Sequence, residues 1–237
     1  MSLGTKKPRP VPEDGKPLLI VRLLIIVVGI AAFFLLAVEV NRGDTQHFDE
    51  QILRSLREPN NPDVPRGPVA LQEAARDITS LGGYALSILL VAIVTIFLAC
   101  DGKNGAARLF LAAVISGWLL QKGLKALIGR PRPEVVPRLM PVDSTSFPSG
   151  HSMMSAIIFL TLGVILSRLE LKRPHLRIYF LSVAFLLTGL VGMSRVYLGV
   201  HYPTDVLAGW TAGLVWAMLC SLVAEYLQRR GAVETEL

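Results

Sequence analysis

Apolar residues in this chain are gathered into long uninterrupted runs instead of alternating with polar ones. Six runs stand out: Leu18–Val38, Tyr84–Cys100, Leu109–Leu127, Ser149–Leu166, Ile178–Met193 and Val206–Leu227. A helix needs about 20 apolar residues to cross a hydrocarbon layer of about 30 Å, so each run reads as a membrane span. The expected fold class is all-α, a six-transmembrane-helix bundle. No small-residue cleavage site follows the first run, which is therefore read as a retained span and not a signal peptide. The expected organisation is a polar tail over 1–17, one membrane domain over 18–230 and a short tail over 231–237.

The segments between the runs differ in character. The first, residues 39–83, holds Phe48, Ile52, Leu53 and Leu56 at helical spacing. Leu71, Ala74, Ala75 and Ile78 repeat the pattern, with Pro68 suited to a first helical turn. Two short helices are expected, lying on the membrane surface or capping the bundle, with the breaker PNNPDVPRGP between them. A turn around Asp101–Gly105, a Pro/Arg-rich loop over 128–148, a basic turn over 168–177 and a link over 194–205 complete the chain.

Composition sharpens this picture. The 237 residues are 52% hydrophobic and 18% charged, with a mean hydropathy of +0.51, against roughly 45–50% and about 25% in a soluble domain. Six spans of about 20 residues fill half the chain, leaving too little for a second globular domain. The net charge of +6 argues for no nucleic-acid partner, because the basic residues lie between apolar runs and form no single solvated face. They are the signal that orients spans. With the N-terminus cytoplasmic, Lys6, Lys7, Lys103, Arg108, Arg177 and Arg229 all fall on the cytoplasmic side, while carboxylates outnumber arginines in the first outer loop. Both termini are then cytoplasmic. The loop over 128–148 breaks the rule, with Arg130, Arg132 and Arg138 beside Lys122 and Lys125. Cys100 and Cys220 form no disulfide framework and are read as packing residues.

Three polar clusters at span ends carry candidate chemistry. They are Lys125 with Arg132-Pro133 (KALIGRPRP), Pro148-Ser149-Gly150-His151, and Ser194-Arg195 with His201 and Asp205 (SRVYLGVHYPTD). Consecutive spans alternate direction, so all three clusters fall at one membrane face and can share a pocket. Lys125, Arg132 and Arg195 repel one another unless an anion joins them. Arginine forks match phosphate oxygens, and lysine acts as a point charge. Ser149 and Gly150 open a helix whose free N–H groups favour an anion. His201 and Asp205, four residues apart, are expected on one helical face. A carboxylate on one ring nitrogen leaves the other free to attack and stabilises the imidazolium. His201 is thus the candidate nucleophile and His151 the candidate general acid.

These residues resemble the type 2 phosphatidic acid phosphatase superfamily, with its signatures K-x6-R-P, P-S-G-H and S-R-x5-H-x3-D. All three occur between Lys125 and Asp205 without a departure. The resemblance implies phosphate binding by Lys125, Arg132, Ser149, Gly150 and Arg195. It implies acid chemistry at His151, nucleophilic attack by His201 and support from Asp205, with no metal and no cofactor. The active-site core would be 122–209. The reading is a bacterial inner-membrane phosphatase acting at the extracytoplasmic face on a lipid phosphate monoester or pyrophosphate, a phosphatidic acid, phosphatidylglycerol phosphate or undecaprenyl pyrophosphate. The lipid tail would enter sideways from the bilayer. The alternatives are a soluble sugar phosphate as substrate, a vanadate-holding haloperoxidase, or a non-catalytic lipid-binding or transport protein. Nothing in the pattern specifies an oligomeric state.

Other residues are expected to serve structure. Arg130, out of register with the first signature, is read as a headgroup contact, as are Arg138 and Lys122. Tyr197 and Tyr202 are read as interfacial anchors. Gly209 and Gly213, with Ala208 and Ala212, form a small-residue stripe for close helix packing. His47 and His175 are left without a role.

Overall fold

The computed structural model describes residues 16–169 and 173–230. Most of the expected N-terminal tail, residues 170–172 of the basic turn and the tail over 231–237 lie outside the described residues. Eight helices follow in order: α1 (Lys16–Arg42), α2 (Gln46–Ser55), α3 (Val69–Ser80), α4 (Tyr84–Cys100), α5 (Asn104–Ile128), α6 (Gly150–Leu169), α7 (Pro174–Tyr197) and α8 (Pro203–Arg229). Five of them, α1, α5, α6, α7 and α8, are each long and apolar enough to cross a membrane. The remaining expected span, α4, has the anticipated bounds but only 17 residues, about 25 Å of helix. It meets the length test only together with α3, from which it is bent by 48°.

The bend has a local cause. Leu81, Gly82 and Gly83 separate the two helices, and a Cβ on Gly82 would lie 3.1 Å from the His151 carbonyl oxygen. Only a residue without a side chain lets this corner rest on the first turn of α6.

Burial sorts the spans into layers. In α6, 67% of the apolar window is buried, against 11% in α1. The central helix is therefore α6, and α1 is a peripheral one whose Ile20, Leu24, Val27 and Phe34 face outward. Met153, Ala156, Ile157 and Ile158 of α6 build the main core with Phe110, Val91 and Val191. The small-residue stripe packs as anticipated. A Cβ on Gly209 would stand 2.7 Å from the Ser149 carbonyl, and one on Gly213 2.6 Å from that of Met153. This close crossing of α8 on α6 delivers Asp205 to the start of α6, where the Ser149 N–H donates to the Asp205 carbonyl at 3.0 Å.

The first loop departs from expectation in two ways. The PNNPDVPRGP breaker is framed by a small antiparallel hairpin, β1 (Arg57–Glu58) with β2 (Asn61–Pro65), so the fold is not purely helical. Arg57, 2% exposed, fastens the hairpin by donating to the carbonyls of Tyr197 and Pro137. Pro68 caps α3 from outside its first turn. Both short helices cover the bundle end: Leu53 of α2 packs with Val136 and Tyr202, and Ala75 of α3 with Leu198 and Val200. Cys100 is exposed and Cys220 half-buried, both free, so Cys100 plays no packing part.

The α6–α8 crossing yields a stability prediction. Gly213→Leu should cost about 1–3 kcal/mol through overpacking, read as a lower thermal midpoint in detergent. Gly123→Ala, where a Cβ meets nothing within 4 Å, should leave the midpoint unchanged or raise it. Equal behaviour of the two variants would refute the packing account.

Candidate active site

Antiparallel spans bring the polar clusters to one end of the bundle. Lys125 stands in the last turn of α5, Gly150 and His151 in the first turn of α6, and Arg195 in the last turn of α7. His201 lies in the link that Pro203 ends by starting α8. Lys125, Arg132, Gly150, His151, Arg195 and His201 all line one cavity of about 950 Å³.

Three cations of this wall, Lys125, Arg132 and Arg195, are held by neutral groups. Lys125 Nζ donates to Ser144 Oγ at 3.2 Å and to the Thr145 carbonyl. Arg132 donates to the carbonyls of Ser144 and Val200 and, at 3.1 Å, to Ser144 Oγ. Arg195 donates through Nη1 to Thr79 Oγ1 at 2.9 Å and Met140 Sδ at 3.0 Å, while its buried Nε has no partner. Among the described residues, no carboxylate forms an ion pair with any of the three. Burial holds the Arg132 guanidinium down to about 10, against the upward pull of Asp205. It remains charged at neutral pH. Buried like charges with spare N–H donors are costly until an anion joins them, and the wall is chemically suited to an oxyanion.

His201 is 1% exposed. Its Nε2 faces Arg132 Nη1 at 3.2 Å. A guanidinium can only donate, so the network assigns Nε2 as acceptor and puts the ring proton on Nδ1. Nδ1 lies 3.5 Å from Asp205 Oδ2 and 3.4 Å from Ser146 Oγ. The expected helical i, i+4 relation of this pair is corrected: His201 precedes α8, and the turn at Tyr202-Pro203 brings the two together. Asp205 Oδ2 accepts the Tyr202 N–H at 2.9 Å and the Ser146 hydroxyl. Its Oδ1 accepts from Arg130 Nη1 at 2.7 Å.

Ser149 stands apart from the other anticipated phosphate ligands. It is fully buried, its N–H is taken by the Asp205 carbonyl, and its Oγ accepts from Ser152 Oγ at 2.9 Å. It caps α6, leaving the cavity wall to Gly150.

Two expectations for neighbouring residues, those for Arg130 and Tyr202, are overturned. Arg130 is not a headgroup contact: it is buried and ion-paired to both Asp49 and Asp205. Tyr202 is 5% exposed, with its ring 4.0 Å from the Arg130 guanidinium carbon, and so is no interfacial anchor. The Tyr197 hydroxyl donates to the Arg66 carbonyl. Lys122 lines the cavity, with its ammonium over the rings of Tyr84 and Trp118. Arg138 donates to the Pro133 carbonyl. Ser146, Thr79, Gln121 and Asp49 escaped sequence reasoning because none belongs to a spaced signature. Only Ser146, two residues before Pro148, had a positional hint.

Burial, and then the charges of Arg132, Arg195 and Lys125, push the His201 ring well below the ordinary 6.5. Histidine NMR in detergent should show His201 as a neutral imidazole at pH 6, distinct from a free imidazole. An imidazolium at that pH would contradict the assignment. The unfolded ring protonates near 6.5 and the folded one does not, so this group's contribution to stability falls as pH drops below 6.5.

Similarity to known proteins identifies the family. The sequence profile described as the PAP2 superfamily matches residues 105–229. The chain is 33% identical over 201 residues to phosphatidylglycerophosphatase B of Bacillus subtilis, covering 83% of this chain and 93% of that protein. It is 32% identical over 193 residues to a lipid A 1-phosphatase of Rhizobium etli, covering 68% and 76%. The crystal structure of a transmembrane PAP2 type phosphatidylglycerolphosphate phosphatase from Bacillus subtilis superposes with a TM-score of 0.74 at 32% identity, over 84% of this chain and 96% of that one. With its motifs, its multiple spans and these relatives, the chain belongs to the PAP2 superfamily and is a multi-pass membrane lipid phosphatase.

Proposed function

We propose that this protein hydrolyses a lipid phosphate monoester or pyrophosphate through a phosphohistidine intermediate, without metal. Phosphatidylglycerol phosphate and undecaprenyl pyrophosphate are the leading substrates. The observation that carries the reading is the cavity's dual character. Its polar end holds the cations and both histidines, and its other walls are Val91, Ile96, Leu111, Ile115, Trp118 and Ile158. Along α5, Lys125 and Leu111 are 14 residues apart, about 21 Å of rise. Such a groove between α4 and α5 suits an acyl or prenyl tail and has no use for a sugar phosphate.

The chemistry follows from the wall. Lys125, Arg132 and Arg195 hold the non-bridging phosphate oxygens and offset the charge that develops there. Arg132 turns from His201 to the phosphate, freeing Nε2. That nitrogen attacks phosphorus, an N–P bond forms and the P–O bond to the lipid breaks. His151 gives its proton to the departing oxygen, which belongs to an alcohol or, for a pyrophosphate, to a lipid monophosphate. Water then attacks the phosphohistidine, His151 takes its proton, and inorganic phosphate leaves with His201 restored. Asp205 balances the charge on the imidazolium throughout.

Orientation follows the basic residues. Lys103, Arg108, Arg177 and Arg229 lie at the helix ends opposite those that carry Lys125, Arg195 and His201, which supports cytoplasmic termini and an extracytoplasmic site in the cell membrane.

Phosphate release from detergent-solubilised lipids tests this. His201→Ala should lower turnover by about 10³-fold or more, and EDTA should leave the wild type unchanged. Ala92→Trp, in the apolar wall, should slow lipid substrates about tenfold or more and spare a short-chain phosphate monoester. Full activity of His201→Ala, or loss on chelation, would overturn the mechanism. Equal slowing of both substrates by Ala92→Trp would overturn the tail assignment.

A further inference from the structure

The cavity leaves one buried charge cluster unexplained. Asp49, on α2 of the first loop, is 0% exposed, as is Asp205. Between them sits Arg130. Its Nη2 donates to Asp49 Oδ2 at 2.8 Å, and its Nη1 to Asp205 Oδ1 at 2.7 Å. Thr204 closes the ring: its N–H and its hydroxyl donate to the two oxygens of Asp49 at 3.0 and 2.6 Å. Its Oγ1 also accepts from Arg130 Nη1 at 2.8 Å. Neither Asp49, Thr204 nor Arg130 lines the cavity.

Buried ion pairs seldom repay their desolvation in stability, and their best-attested value is geometric. The geometry here is directed. Arg130 occupies one oxygen of Asp205, so the carboxylate cannot rotate, and the other oxygen stays turned to Nδ1 of His201. The cluster's formal charge is one minus, from two carboxylates and one guanidinium, matching the single plus on an attacked imidazole. Arg130 alone would cancel Asp205; Asp49 restores the deficit.

We infer that Asp49 and Arg130 are positioning residues of the hydrolysis, clamping Asp205 behind His201 and preserving the negative charge that the imidazolium needs. This rests on the reading of His201 as nucleophile and Asp205 as its support. It makes α2 a working part of the site and not only a lid over the bundle.

A double-mutant cycle tests it. Asp49→Asn should lower kcat about 10–100-fold, the scale seen for groups that orient metal-bound histidines, with KM changed less than about threefold because no phosphate contact is lost. Asp205→Asn should lower kcat at least as much. In the Asp49→Asn/Asp205→Asn protein, the Asp49 change should add nothing further. A purely structural Asp49 would give additive losses. Wild-type kcat in Asp49→Asn, or additivity, overturns the clamp while leaving the nucleophile reading intact. Wild-type kcat in Asp205→Asn overturns the reading of Asp205 as the support of His201. Should Asp49→Asn not fold, Thr204→Val, which removes only the hydroxyl of the ring, is read in the same cycle with the same criteria.

Discussion

The structure is organised around an electrostatic deficit. Three cationic side chains converge on one cavity deep at the end of an apolar bundle, and each is fastened by carbonyls, hydroxyls and a thioether instead of a carboxylate. In such surroundings an unpaired charge is expensive. The fold tolerates it because each cation is held by neutral acceptors, and because a doubly charged phosphate can satisfy all three at once.

The bundle's architecture serves that convergence. The buried helix α6 supplies a glycine and a histidine at its first turn, and the glycines of α8 let that helix approach closely enough to set Asp205 beside it. The corner at Gly82 and Gly83 rests over His151, and α3 sends Thr79 to Arg195. Loops at this end are therefore structural members of the site. The negative charge is segregated to the rear: Asp205 is shared between Arg130, Ser146 and His201, and no cation of the cavity wall is neutralised by it directly.

Much of this was legible in the sequence. Apolar runs long enough for a bilayer marked the helices, and the spacing of Lys125, Arg132, His151, Arg195, His201 and Asp205 marked the pocket, since antiparallel spans must return to the same face. What escaped was whatever depended on contact between distant segments. Arg130 looked like a surface cation because its partners lie 81 and 75 positions away. The hairpin over 57–65 was hidden by its prolines and asparagines, since Arg57 fixes it from inside. The α3–α4 bend was invisible because glycine pairs mark many turns, and only the His151 backbone explains this one. Ser149 matched its signature yet is spent on helix capping, which a motif cannot reveal.

The central claim, that one oxyanion is held between two histidines by three otherwise unpaired cations, is tested most directly by an experimental structure with bound vanadate. The account predicts density for a trigonal-bipyramidal oxyanion bonded to Nε2 of His201, its oxygens contacted by Lys125, Arg132 and Arg195 and its apical oxygen facing His151. Vanadate bonded elsewhere, or seated without contact from those three side chains, would contradict it.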